Sequence, residues 1–583
     1  MEKRWIVKSN ADPKVVKHLS EKLSIDPILA KLLYYRGITN FDEAKNFFRP
    51  NLSSLHDPFL LKSMDKAVNR IISAVKNNEK ILIYGDYDVD GTTAVALLYS
   101  FLREFHSNVD FYIPDRYAEG YGISLKSIDF ASENNFSVII SLDCGIKAVK
   151  QVGYARQKGI DFIVCDHHRP GEILPPAYAV IDPKQVDCPY PYKELSGCGL
   201  SFKIAQAISK KKKTPFSNLK KYLDLVVVSI AADIVPITGE NRVLAYYGLE
   251  QINKNPRAGL ESILFYSNVI RKNIPDEKTI FTREININDL VFLIGPRINA
   301  AGRIETGTSA VKLLVCDKMA DTHDLSLNID NHNTERRNLD VEITKQALKM
   351  IESDHKLKTS KATVLYNPNW HKGVIGIVAS RLTESYYRPT IILTQSNGMI
   401  TGSARSVKNF DIYDAINACS KHLEHFGGHK YAAGLSLKPE KLPEFNNAFE
   451  NFVNENITDE MLIPEIEIDA DIKLYDITSK FFKILIQFSP FGPGNSNPVF
   501  MTKSLTDRGS ARIVGNNHLK LKVSHPDYPR KEFNAIAFQQ GGFLPGLQQG
   551  KKIDITYHIE ENTWNGNTSI QLNISNIRFT EKQ

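Results

Sequence analysis

Short runs of β-branched and other apolar residues alternate with longer amphipathic stretches through the first half of the chain. Ile81-Leu82-Ile83-Tyr84, Val138-Ile139-Ile140-Ser141-Leu142 and Phe162-Ile163-Val164-Cys165 have strand length, and helix-length segments separate them. This alternation predicts a parallel sheet with helices on both faces. Ahead of it, residues 1–75 carry apolar residues at helical spacing, punctuated by Pro27, Gly37 and Pro50, and read as a small helical lead-in to that domain. Residues 318–354 contain neither proline nor glycine and predict one long connecting helix. A second α/β region opens on the strand-like Ala362-Thr363-Val364-Leu365-Tyr366. Beyond Pro464 the period falls to two, as in Glu465-Ile466-Glu467-Ile468, Leu519-Lys520-Leu521-Lys522-Val523 and Ile553-Asp554-Ile555-Thr556-Tyr557, which predicts a small β-barrel. The fold class is therefore α/β, with domains at 1–75, 76–317, 318–354, 355–460 and 461–583.

The length of 583 residues agrees with several cores rather than one. A composition of 42% hydrophobic and 24% charged residues excludes a disordered or fibrous chain. The net charge of +7 argues only weakly for a nucleic-acid partner, and the lysines at 210–213, 220 and 221 read as a solvated loop. Six cysteines, at 144, 165, 188, 198, 316 and 419, form no CxxC pair, which predicts free thiols in a reducing cytoplasm and no structural zinc. The first residues, MEKRWIVKSNADP, lack the apolar run of a secretion signal. The most hydrophobic stretch, 223–232, is interrupted by Asp224 and is far shorter than the roughly 20 residues of a membrane span. No membrane partner is expected.

The chemistry concentrates where strands end. Gly85-Asp86-Tyr87-Asp88-Val89-Asp90-Gly91 follows one strand, Asp143-Cys144-Gly145 the next, and Asp166-His167-His168 a third; Asp233 follows the apolar run at 223–232. A single acid at such a place commonly caps a helix. Jointly, these groups sit where open α/β sheets hold ligands, and carboxylates so crowded repel unless cations bind among them. Oxygen and imidazole donors without thiolates suit Mn²⁺ or Mg²⁺. Two ions about 3.5–4 Å apart stabilise both the entering and the leaving oxygen in phosphoryl transfer. Asp143, between the other two loops in strand order, is the candidate bridging ligand.

In the second α/β region Gly427, Gly428 and Gly434 leave backbone amides open to an anion. Ser403, Arg405 and His429 offer a hydroxyl, a guanidinium fork and an imidazole as phosphate partners, and Arg297 and Arg303 add charge. Arg116 is a further candidate. Ser403, Arg405 and Arg116 are expected to hold a terminal phosphate, whose extra charge a guanidinium fork beside a hydroxyl can recognise.

With the motifs DYDVDG at 86–91 and Asp166-His167-His168, the chain resembles the DHH phosphoesterase family. The resemblance to that family's single-stranded-DNA-specific exonucleases is closer still. The likeness continues in Gly295-Pro296-Arg297-Ile298-Asn299-Ala300-Ala301-Gly302-Arg303, Trp370-His371-Lys372-Gly373-Val374-Ile375-Gly376, Gly402-Ser403-Ala404-Arg405-Ser406, Gly427-Gly428-His429-Lys430-Tyr431-Ala432-Ala433-Gly434 and Pro490-Phe491-Gly492-Pro493-Gly494-Asn495. The resemblance implies a DHH catalytic domain, a connecting helix, a DHH-associated substrate-binding domain and a C-terminal OB-fold around a channel for one DNA strand. It implies 5′ to 3′ hydrolysis to mononucleotides with two Mn²⁺ or Mg²⁺ ions, in recombination and repair, with a helicase and a single-strand-binding protein as partners. Carried over by position, the ligands fall on Asp86, Asp88, Asp90, Asp143, His167 and Asp233, with Asp166 in the same cluster and His168 beside the scissile phosphate. Which two of the three loop acids bind metal stays open. Tyr84 stands where some relatives have histidine, and a phenol of pKa near 10 is a poor ligand.

Two rival readings are disfavoured. A DHH enzyme for cyclic dinucleotides or very short RNA does not call for the N-terminal section and the barrel. A non-catalytic strand-binding scaffold should have lost ligands, yet every acid and histidine of the cluster is present. On the barrel, Phe500, Phe533, Phe538, Tyr557 and Trp564 are expected to be mostly core, with stacking on bases as the alternative.

Overall fold

The structure, a computed structural model, describes residues 3–116, 118–120, 122–304, 306–564 and 567–580. The chain forms two compact units, one of residues 54–464 and one made of residues 3–53 together with 465–583.

The larger unit is built on a five-stranded parallel sheet in the order Val109–Tyr112, Lys80–Gly85, Phe136–Leu142, Asp161–Cys165, Ala179–Ile181. Ile81, Leu82, Ile83, Val138 and Ile140 are buried, as central parallel strands covered on both faces require. From Lys80–Gly85 the chain passes to one side of that strand and then returns to its other side for Phe136–Leu142. The order reverses there, so the crevice between these two strand ends is the topological switch point. The helix Val89–Arg103 leaves the first strand directly, with Asp88 as its N-cap.

The apolar run Leu223–Ala232 is a buried helix, and Asp224 inside it is neutralised by Arg257, with two guanidinium nitrogens at 2.8 and 2.9 Å. Among the described residues no helix is long and apolar enough to cross a membrane. The predicted connecting helix spans His323–Ser353. It leads to a mixed sheet in the order His425–His429, Ala432–Leu437, Met399–Arg405, Thr390–Ser396, Thr363–Tyr366. The lysines at 210–213 lie on the last turn and cap of the helix Gly197–Lys212 rather than in a loop, and Lys210 and Lys211 pair with Asp57 and Asp65. All six cysteines are free.

In the smaller unit, Phe500–Asp507, Ile553–Trp564, Asn567–Phe579, Tyr528–Ala537 and His518–His525 pair in sequence around a ring that Thr506 and Ser524 close. This closed five-stranded barrel is the expected OB-type fold. Phe500, Phe533 and Tyr557 are buried in its core, whereas Phe538 is exposed; the Trp564 side chain lies outside the described residues.

Residues 3–53 do not lead into the catalytic domain, as the helical spacing suggested, but complete the barrel unit. Leu19, Leu29, Leu32 and Leu33 share a core with Phe481, Phe488 and Phe500, and the Phe47 and Phe48 rings meet Phe488 edge-on at 5.4 and 5.2 Å. Arg4–Val7 adds a parallel strand to Glu465–Ile468. The PFGPGN segment supports the same join: Asn495 donates to the carbonyls of Phe488 and Pro490 and accepts the Arg36 Nε–H at 2.6 Å. Only the segment from residue 54 onward leads into the catalytic unit.

Candidate metal centre and anion-binding face

Four neighbouring parallel strands each release an aspartate at their C-terminal end: Asp86, Asp143, Asp166 and Asp182. The first three were legible in the sequence. Asp182 was missed, although Ala179-Val180-Ile181-Asp182 carries the same signal of an apolar run ending in an acid.

These ends converge with Asp88, Asp90, His167, His168 and Asp233. Three sets of ligand atoms, each within 4.8 Å of one another, chain together: Asp86 with Asp88 and Asp143; Asp143 with His167 and His168; and Asp90 with His167 and Asp233. Asp143 and His167 thus each belong to two sets and link the three. The Asp143 backbone is held in the left-handed region, φ 60°, with its N–H on the Cys165 carbonyl. Gly197 must lack a side chain, because a Cβ there would lie 2.7 Å from Asp143 Cβ and 3.0 Å from Asp90 Oδ2.

The acids divide their work. Asp90 is buried and accepts the N–H groups of Gly197 and Cys198 at 2.6 and 2.8 Å and the Ser229 hydroxyl at 2.6 Å, anchoring the N-terminus of the helix Gly197–Lys212. Its Oδ2 also faces His167 Nε2 at 3.5 Å. Asp88 spends one oxygen on Gly91 N–H at 3.0 Å. Asp166 spends both: Oδ1 accepts from the backbones of His167 and His168 and from His168 Nδ1, and Oδ2 from Ile146 N–H. By contrast, Asp86 Oδ1, Asp143 Oδ1 and both ring nitrogens of His167 are buried without a hydrogen-bond partner, although His167 Nε2 is 3.1 Å from Asp143 Oδ1.

Burial and the neighbouring carboxylates raise the pKa values of Asp86, Asp88 and Asp143 and push Asp233 up to about 8. Burial lowers His167. Burial also works against the His168 cation, but the Asp166 hydrogen bond and charge, with the charges of Asp233 and Asp90, together outweigh it and lift His168 to about 9. Orphaned buried donors and acceptors among mutually repelling carboxylates fit divalent cations, which would satisfy these atoms together.

Tyr84 takes no part. It is buried, donates its hydroxyl to the Gly122 carbonyl at 2.7 Å and stacks on Tyr112.

On the mixed sheet, strand alternation puts Ser403 and Arg405 on one face, in register with Gly434 and Ala432 and then with Gly427 and His429. Glycines in the Ser403 row leave the backbone open, and a Cβ on Gly427 would meet nothing within 4 Å. Arg405 donates to the Ser403 hydroxyl at 2.9 Å, and both stand over Gly376 in the first turn of the helix Ile375–Tyr386. Arg303 reaches across to the Gly373 carbonyl at 2.7 Å. Arg116 lies over the Tyr87 ring at 5.1 Å. Burial, with Arg116, Arg336 and Arg405 nearby, lowers Arg303 to about 10.

Two expected anion partners fall elsewhere. Arg297 is turned into the packing of its own helix, with Asp330 at 2.9 Å and the carbonyls of Leu293 and Tyr266 as its other acceptors, so its charge is already used. Gly428 sits in the row of Ala433 and Ala404, on the opposite face from Ser403, and its φ of 153° places a would-be Cβ 2.4 Å from the Ala432 carbonyl. It is required for backbone fit.

Comparison with known proteins agrees with this geometry. The family model of the DHH family, N-terminal domain, matches residues 80–230, the DHHA1 domain matches 359–455, and the RecJ OB domain matches 468–576. The chain is 35% identical over 583 residues to the single-stranded-DNA-specific exonuclease RecJ of Bacillus subtilis (strain 168), covering 100% of this chain and 71% of the relative. It is 32% identical to the Haemophilus influenzae exonuclease of the same name, covering 96% and 97%. The crystal structure of RecJ in complex with Mn²⁺ from Thermus thermophilus superposes with a TM-score of 0.83 at 26% identity, covering 99% of this chain and 80% of that one.

Proposed function

The chain belongs to the RecJ family of single-stranded-DNA-specific exonucleases, and we propose that it shortens a DNA strand from its 5′ end, one nucleotide at a time. It is a metal-dependent exonuclease acting on single-stranded DNA, and a divalent ion, Mn²⁺ or Mg²⁺, is its cofactor. The observation that carries the site assignment is the orphaned set of Asp86 Oδ1, Asp143 Oδ1 and the His167 nitrogens.

In this reading Asp86, Asp88 and Asp143 would hold one ion and Asp90, His167 and Asp233 a second, with Asp143 the candidate to serve both. Two ions so held supply polarisation of the phosphodiester and acidification of water. Asp166 is a positioning residue: it fixes His168 through Nδ1 and favours the imidazolium, whose exposed edge is a donor for a phosphate oxygen of the strand. Ser403, Arg405 and Arg116 take the terminal phosphate, which carries more negative charge than an internal diester, and so set a one-nucleotide step. His429 and Gly427 extend that face along the strand. In recombination and repair a helicase would supply the unwound strand and a single-strand-binding protein would hold it, in the cytoplasm.

Oligonucleotides labelled at either end, incubated with Mn²⁺, test the proposal. Early release of a 5′-labelled mononucleotide is expected. Release of the 3′ label first would reverse the polarity, and cleavage confined to dinucleotides would favour the small-substrate rival.

A further inference from the structure

We propose that Arg336, with Arg303, forms a phosphate subsite for an internal diester of the bound strand, distinct from the Ser403–Arg405 pair; the proposal rests on the single-strand exonuclease reading above. A cavity of about 160 Å³ is lined by Ala232, Asn299, Arg303, Arg336 and Ile377, among others. Ala232 immediately precedes the candidate ligand Asp233, and Ile377 follows Gly376, over which Ser403 and Arg405 stand. The cavity therefore has lining residues adjacent in the chain to both the metal centre and the anion face. Its volume is well below the roughly 300 Å³ of the smallest typical ligand pockets, which suits a phosphate group rather than a whole nucleotide.

Arg336 projects from the long helix with Nε buried and without a partner, and its Nη2 donates to Asn333 Oδ1 at 3.0 Å. Asp340, one turn further on, is paired with Arg381 at 2.7 Å. Two guanidinium groups in one cavity repel, and Arg303 is depressed partly on that account, after burial itself. A buried donor left unmade is costly, and an anion between the two forks would satisfy it.

The test is a scan in which single neutral methylphosphonate linkages are placed at successive positions of a 5′-phosphorylated strand, with wild type, Arg336→Gln and Arg336→Lys. On the unmodified strand Arg336→Gln should lower kcat/KM about tenfold or more, with Arg336→Lys recovering part of the loss. At one internal linkage the neutral substitution should slow the wild type and leave Arg336→Gln no slower than before, which identifies the contacted phosphate. A defect that is the same at every position, or is matched by weaker product inhibition by a 5′-mononucleotide, would overturn the subsite. Wild type that leaves the unmodified strand intact would instead sink the exonuclease reading itself.

Discussion

Asp166 Oδ1 receives the Nδ1–H of His168 at 2.8 Å while accepting the backbone N–H groups of His167 and His168 at 2.8 and 3.1 Å. One carboxylate oxygen thus sets the turn that presents both imidazoles. Asp166→Asn would place an amide among these donors and remove the charge that favours the His168 cation. We expect kcat to fall by about 1.5–3 kcal/mol in activation free energy, with KM nearly unchanged. Asp166→Asn should cost less in a His168→Ala background than in the wild type, since part of its effect runs through the His168 ring. Fully additive losses in single-turnover assays would show that Asp166 works independently of His168.

Asp143→Ala should abolish hydrolysis and leave strand binding intact, because Asp143 belongs to two of the three sets of ligand atoms. Mn²⁺ titration should show fewer ions bound than in wild type. Turnover at the wild-type rate in saturating Mn²⁺ would refute the shared-ligand role. Chelation should silence the wild type in the same assay.

Arg405→Ala should weaken degradation of 5′-phosphorylated strands by about 1.5–3 kcal/mol and of 5′-hydroxyl strands by less. The double difference in kcat/KM isolates the terminal phosphate from general affinity. Equal losses on both substrates would make Arg405 an ordinary backbone contact.

Removal of the divalent ions should make stability depend on pH. Burial and neighbouring carboxylates raise Asp86 and Asp143 and bring Asp233 to about 8. These folded-state values exceed the unfolded value near 3.9, so the metal-free protein holds more protons than the unfolded chain across that window. Their contribution is full below the unfolded pKa and is lost as pH rises through the folded values. The Tm in EDTA should therefore fall between about pH 6 and pH 8, and saturating Mn²⁺ should flatten the slope. Identical slopes with and without metal would mean that these carboxylates do not share a cation site.

Much of the centre was legible because strand-end acids follow from a local pattern: an apolar run stops and an aspartate begins, as at Asp86, Asp143 and Asp166. The division of labour among them was not. That Asp90 also anchors a helix terminus depends on where Gly197 and Ser229 lie, more than a hundred residues away in sequence. Arg297 and Arg303 occupy one motif with similar surroundings, yet their six-residue spacing sets them about a third of a turn apart around the helix Gly295–Ile304 and sends one to Asp330 and the other to Gly373. Arg336 gave no signal at all, being one charged residue on a long charged helix. The helices before residue 54 were recognised as helices, but spacing alone does not say which distant core their apolar face will join.

That last arrangement has a consequence during synthesis. The three helices Pro13–Leu23, Pro27–Tyr34 and Phe41–Phe48 leave the ribosome well before the barrel residues that bury their apolar faces, which come after residue 464. At about 5–20 residues per second, the nascent chain carries these faces uncovered for tens of seconds while the intervening unit is made. Damage near the first residues should accordingly register as a lesion of the chain's far end: an early truncation would leave the nuclease centre foldable and the barrel short of its own core.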